Sequence, residues 1–208
     1  MARTADHEQR RRQVAEAVLR ITAQRGLDDV SLAKVAAEAG VSVGLVQHYF
    51  ATKDAMMLFA FRSIADQFSQ RAARIPRNGP LGRITLQVLA ELLPLDEQRA
   101  AEVRIWLGFC AHAAFTPALA TVQAEYLAEQ RRLLAATIRE AQARGESPPD
   151  LDPEREGALL AAFVDGLANQ AHNDPAGLPS SVLESLLAAY LRNVFNDLGD
   201  VGDAASAS

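Results

Sequence analysis

Two short helical stretches hinged on a single glycine constrain this chain more than any other feature. Residues 31–40 read SLAKVAAEAG and residues 41–50 read VSVGLVQHYF. Ser31 and Ser42 each stand where a side-chain oxygen can accept a backbone N–H of the first turn. Val30 before Ser31 has Val35 to pack on, and Val41 before Ser42 has Val46, the apolar staple of a helix start. Gly40 supplies the left-handed residue that ends the first helix at little cost. Helix, glycine turn, helix is the layout in which a second helix can enter a DNA major groove. Leu45, Val46 and Phe50 fall on the inward side of that second helix, leaving Val43, Gly44, Gln47 and His48 outward. From spacing alone, that outer face is either a solvated surface or a surface that reads DNA.

Composition decides the class around this motif. The 208 residues are 49% apolar and 23% charged, ordinary for a globular chain with a sizeable core. Alanine, leucine and arginine dominate and β-branched runs are scarce, which predicts an all-α fold of about nine helices. No apolar run is long enough for a bilayer and no signal peptide opens the chain. The one cysteine, Cys110, excludes an internal disulfide and points to the cytoplasm. Net charge is −5, but residues 1–75 hold eleven Lys/Arg against eight Asp/Glu, and the remainder ten against eighteen. A basic end on an acidic body suits a protein that docks DNA one way round.

The stretch from Gly26 to Met56, with His48-Tyr49-Phe50 followed by Thr52-Lys53-Asp54, resembles the DNA-binding domain of tetracycline-repressor (TetR) family regulators. The motif resemblance covers about residues 8–60, and the 208-residue layout fits the family throughout. Val46-Gln47 stands where many members carry Leu-Tyr, and this version is more similar to the branch containing the choline-responsive betaine repressor (BetI-like). The resemblance implies a homodimeric, ligand-responsive regulator, most simply a repressor, acting on a near-palindromic double-stranded DNA operator. It implies an N-terminal DNA-binding domain over 1–52 and a ligand-binding and dimerisation bundle over 53–198. Residues 199–208 form a tail expected to be disordered.

Along the chain, residues 1–7 are polar and expected to be disordered. A helix follows from the Arg10-Arg11-Arg12 run to about Arg25, the run being a solvated helix end or a phosphate contact. Thr52 is placed to cap a helix from Lys53 to about Arg74 that links the two domains. Ile75 to Gly82, with Pro76, Gly79 and Pro80, is the linker. Further helices are predicted over about 81–93, 97–115 (capped by Asp96), 117–144, 153–173 (capped by Asp152, with Pro153 first) and 181–198. Ser181 with Glu184 reads as a capping box. Residues 105–115 are apolar nearly all round, marking a bundle centre.

By resemblance, Ser31, Lys34, Ser42, His48, Tyr49 and Lys53 lie near phosphates. Tyr49 also fits as a core ring with an exposed hydroxyl. Gln47 is the base reader, because its amide can pair in two places with adenine. Val43 and Leu45 press on a thymine methyl, and Gly44 lets the helix approach closely. Trp106, Phe109, Cys110, His112, Phe115, Tyr126, Phe163 and Asn169 are candidates to line an effector pocket, although each also fits as ordinary core. Trp106 with other aromatics could cage a quaternary ammonium by cation–π attraction. A dimer face is expected from Leu159, Phe163, Gly166 and Leu167 on one helix and Leu187, Tyr190, Leu191 and Val194 on the next. Small residues such as Ala162 and Gly166 permit close helix approach, and core packing explains the same stripes equally well.

An enzyme is disfavoured. There is no GxSxG elbow, P-loop or HExxH, and His7, His48, His112 and His172 are scattered over separate regions. No metal or cofactor is expected. The remaining alternative is a helical protein-binding module whose DNA domain no longer reads sequence.

Overall fold

The computed structural model describes residues 2–26 and 29–199, with side chains of the first helix from Gln9 onward. Among the described residues there are nine helices and no strand: α1 Ala2–Arg25, α2 Leu32–Ala39, α3 Val43–Tyr49, α4 Lys53–Arg74, α5 Leu81–Ala90, α6 Glu97–Ala113, α7 Pro117–Ala143, α8 Pro153–Asn173 and α9 Ser180–Leu191. The described residues fall into two compact units. One combines the chain up to residue 69 with residues 100–123, and the other combines 70–99 with the chain from 124 onward. The division therefore falls within α4, α6 and α7.

The first unit is built on the predicted caps. Ser31 accepts from the Lys34 N–H, Ser42 from the Leu45 N–H, and Thr52 from the Ala55 N–H at 3.1 Å. Each such cap contributes about 1 kcal/mol. Gly40 ends α2 at φ 66°, where a side chain would be strained. Val14, Val18 and Ile21 of α1 share one buried cluster with Val30, Val35, Val46, Phe50 and Met56, so both staples close on the same core. The Arg11 guanidinium lies 5.0 Å from the Phe59 ring centre and 6.0 Å from that of Phe50. The middle of the arginine run thus lies over the aromatic edge of this core, although Arg11 and Arg12 are both exposed.

Several helix ends depart from expectation. α1 begins at Ala2 rather than at the arginine run, since neither glycine nor proline interrupts it before Gly26. The expected disorder of residues 1–7 is therefore replaced by helix over 2–7, while residue 1 lies outside the described residues, as does the tail beyond Gly199. α6 stops at Ala113, two residues short. The Ser181–Glu184 capping box is not formed. α9 starts at Ser180 behind Pro179, with no side-chain cap, because the proline's fixed φ of −69° already suits a helix entrance.

The second unit closes around its C-terminal segment. α9 was expected to reach 198, yet it ends at Leu191, and Val194, Phe195 and Leu198 are buried beyond it. The Ser147 hydroxyl donates to the Val194 carbonyl at 2.7 Å, and the Asn196 N–H donates to the Glu146 carbonyl at 2.8 Å. Those groups are thus committed to the 145–147 turn instead of to further helix. The Glu146 carboxylate accepts the Leu81 N–H at 2.6 Å, capping α5, which has no cap of its own. α8 comes close to α7 at Gly157, where an added Cβ would lie 2.9 Å from the Ala135 nitrogen. At Gly166 an added Cβ would meet nothing within 4 Å, so Gly166 mediates no close approach among the described residues.

Asp165 of α8 is half-buried, with no hydrogen-bond or ion-pair partner among the described residues. Lost hydration pushes its carboxyl above the ordinary carboxylate range. A raised folded-state pKa means the folded chain holds the proton more tightly than the unfolded chain. Stability therefore falls as pH rises through the ordinary carboxylate range to the raised value, and stays lower above it. Asp165→Asn is expected to raise the thermal midpoint at pH 7 and to confer no gain in acid below that range. Melting curves across pH check both arms.

Candidate nucleic-acid interface

α3 presents two chemically distinct faces. Val46 is fully buried and Phe50 nearly so, and together they anchor the helix to the first unit's core. On the other side Gln47, His48 and Gly44 are exposed, and Val43 is 44% exposed. Leu45 is half-buried, so of the two expected methyl contacts Val43 is the more available. A Cβ on Gly44 would meet nothing within 4 Å. Among the described residues no neighbour therefore accounts for the missing side chain there, unlike at Gly157. Tyr49 packs its ring against the core cluster and lies edge-on to His48, ring centres 5.4 Å apart.

The predicted phosphate contacts frame this face. The Ser31 and Ser42 oxygens accept backbone N–H groups at 3.3 and 3.2 Å, leaving each hydroxyl proton able to donate outward. Lys53 opens α4. Lys34 is paired with Asp29, and this bond holds the Asp29 carboxyl below its usual range, with Arg25 also nearby at 3.8 Å. A phosphate contact by Lys34 would have to share the ammonium with Asp29.

Two long-range bonds within the first unit were not legible in the sequence. The Arg104 Nε–H of α6 donates to the Ala23 carbonyl in the last turn of α1 at 2.8 Å. His112 Nε2 lies 3.0 Å from Asp54 Oδ1, in the first turn of α4 beside Lys53. Each joins residues more than fifty positions apart, and no local pattern announces such a pair.

The expected effector-pocket residues fall in both units. Trp106, Phe109, Cys110, His112 and Phe115 belong to the first unit, and Tyr126, Phe163 and Asn169 to the second. Phe109 is 1% exposed and stacks on Phe61 with ring centres 4.3 Å apart, and Trp106 lies beside both, tilted 31° to Phe61 and near-parallel to Phe109. These rings spend faces on one another, the reverse of an open cage. Cys110 and Tyr126 are half-buried, Asn169 is exposed, and Phe115 is 90% exposed beyond the end of α6.

The expected dimer residues, all in the second unit, divide between core and surface. Leu167, Leu187, Leu191 and Val194 are buried inside the chain, which moves half of that set into the core. Leu159 is exposed, Phe163 stacks on Tyr190 at 4.4 Å, and Gly166 is half-buried. Val182 and Leu186 of α9 are also exposed. The outward apolar face is therefore carried by Leu159 and Phe163 of α8 with Val182, Leu186 and Tyr190 of α9.

A capped helix pair whose second member buries one face and presents glutamine, histidine and a bare glycine on the other defines a helix-turn-helix DNA-binding protein. Residues 15–59 match the family described as bacterial regulatory proteins, tetR family, and residues 85–196 match the BetI-type transcriptional repressor C-terminal family. The chain belongs to the TetR family of transcriptional regulators and carries a BetI-type C-terminal region. It is 30% identical over 196 residues to the HTH-type transcriptional regulator PksA of Bacillus subtilis, covering 93% of this chain and 94% of that protein. Identity is also 30% over 189 residues to the regulator BetI of Klebsiella pneumoniae, covering 88% and 92%. A crystal structure of a transcriptional regulator from Rhodococcus sp. Rha1 superposes with a TM-score of 0.79 at 36% identity, covering 88% and 95%. These relatives and families are transcriptional regulators, not enzymes.

Proposed function

We propose that the protein is an effector-responsive repressor that binds a near-palindromic operator as a homodimer in the bacterial cytoplasm. Residues 1–52 read DNA, and residues 53–198 hold the effector and the partner subunit. The observation that carries this reading is the outward face of α3, where Gln47 is exposed and has no partner among the described residues. Its amide is available to pair with adenine. Ser31, Ser42, His48, Tyr49 and Lys53 grip phosphates around it, with Lys34 shared with Asp29.

Dimerisation draws support from the exposed Leu159, Val182 and Leu186. Apolar side chains flanking the Phe163–Tyr190 stack suit a second copy of α8 and α9 packed as a four-helix arrangement. Two recognition helices then have to sit about 34–36 Å apart to meet successive major grooves. An effector weakens DNA binding by its differential affinity for a dimer with another spacing. The His112–Asp54 and Arg104–Ala23 bonds give α6 a hold on both ends of the reading unit, so a shift of α6 is felt beside Lys53.

The test is fluorescence anisotropy of the purified protein with duplexes tiling the DNA upstream of its own gene, at two salt concentrations. One tile bound far more tightly than the rest, with steep salt dependence, is expected; equal weak binding to tiles drawn from the whole genome would sink the reading. Lys53→Ala is expected to weaken every duplex alike and to lower the salt slope by about one per subunit. An unchanged slope removes Lys53 from the phosphate contacts.

A further inference from the structure

The second unit holds an open cleft of about 450 Å³ at the C-terminal end of α4, bounded by α5, the start of α6 and α9. Its volume falls within the range of small-molecule sites. One wall is a closed ionic network. Arg71 Nε lies 2.7 Å from Glu91 Oε2, Arg99 Nη1 lies 3.5 Å from Glu91 Oε1, and Arg99 Nε lies 2.9 Å from Asp96 Oδ2. These arginines and Glu91 are only about a fifth exposed, so the wall is held in place and its two cations are matched by two carboxylates.

Two further charges line the same cleft and are not matched. Arg74 and Glu184 are exposed and have no hydrogen-bond or ion-pair partner among the described residues, and they do not pair with each other. The lining also includes the apolar Ile75, Pro76 and Ala90, with Gln87. An anion alone would meet Glu184 as a repulsive neighbour, and a cation alone would meet Arg74. A neutral apolar molecule would leave both charges unused.

We propose that this cleft binds a small zwitterion, its carboxylate on Arg74 and its ammonium on Glu184, with a short hydrocarbon stretch over Ile75, Pro76 and Ala90. Charge-assisted hydrogen bonds at both ends give selectivity that neither end supplies alone. The failure of the capping box at α9 is part of the same geometry: Glu184 is not spent on the helix start and is left facing the cleft.

The experiment is isothermal titration of the full-length protein, without DNA, using 6-aminohexanoate, hexanoate and hexylamine. Saturable binding of 6-aminohexanoate at one per chain is expected, about tenfold tighter than either single-ended probe. Arg74→Gln is expected to weaken 6-aminohexanoate about tenfold while leaving hexylamine unchanged, and Glu184→Gln to weaken it similarly while leaving hexanoate unchanged or tighter. Both side chains are exposed and unpaired, so the thermal midpoint of each variant should match the parent, and the opposite probe preferences separate binding loss from misfolding. No saturable binding, or 6-aminohexanoate binding unchanged in both variants, overturns the proposal. Because no DNA is present, either result is independent of the operator reading.

Discussion

Gly82→Ala is expected to be strongly destabilising. A Cβ at Gly82 would stand 2.5 Å from the Asp197 carbonyl oxygen and 2.8 Å from both Leu198 Cδ2 and Phe195 Cβ. The nearest obstacle is backbone, and that backbone is pinned by the Ser147–Val194 and Asn196–Glu146 bonds. The clash is therefore relieved only by lifting the C-terminal segment off α5, exposing Phe195 and Leu198. Overpacking of this kind costs about 3 kcal/mol. In a chain of this size that corresponds to a midpoint lower by roughly 6–12 °C. Differential scanning calorimetry measures it directly. Gly44→Ala is the control, since a Cβ there meets nothing and any effect should appear in DNA binding instead.

Gln47→Ala is expected to weaken operator binding by about 1–3 kcal/mol per half-site and to relax preference at one base pair in each. Stability should change by less than about 0.5 kcal/mol, because the side chain is exposed and makes no contact that the fold needs. The decisive measurement is a competition series in which each operator base pair is changed in turn, against parent and variant. Loss of discrimination confined to one position identifies Gln47 as the reader. Equal weakening of every sequence would place it among the phosphate contacts.

Local chemistry made the helix caps and the reading face legible. Ser31, Ser42, Thr52, Asp96 and Asp152 cap helices where their residue type and position predict, since a cap involves only the three or four residues after it. Gly40 and Gly145 end helices with positive φ for the same reason. The inward set Val46 and Phe50 and the outward set Gly44, Gln47 and His48 follow from helical period alone.

Tertiary contacts decided the rest. Whether a stripe on α8 or α9 faces the core or a partner depends on what lies across from it, and periodicity is the same in both cases. Leu187 and Leu191 were therefore indistinguishable from Leu186 until packing buried the first two and left the third exposed. The end of α9 was set by Ser147 and Glu146, almost fifty residues away, which take up backbone groups that continued helix would need. A greater separation hid the cleft, whose Arg74 and Glu184 are 110 positions apart in the chain. Caps, turns and the reading face are short-range properties written in neighbouring residues. Helix ends, the division between core and interface, and the pairing of remote charges are long-range, because each depends on which groups folding brings opposite one another.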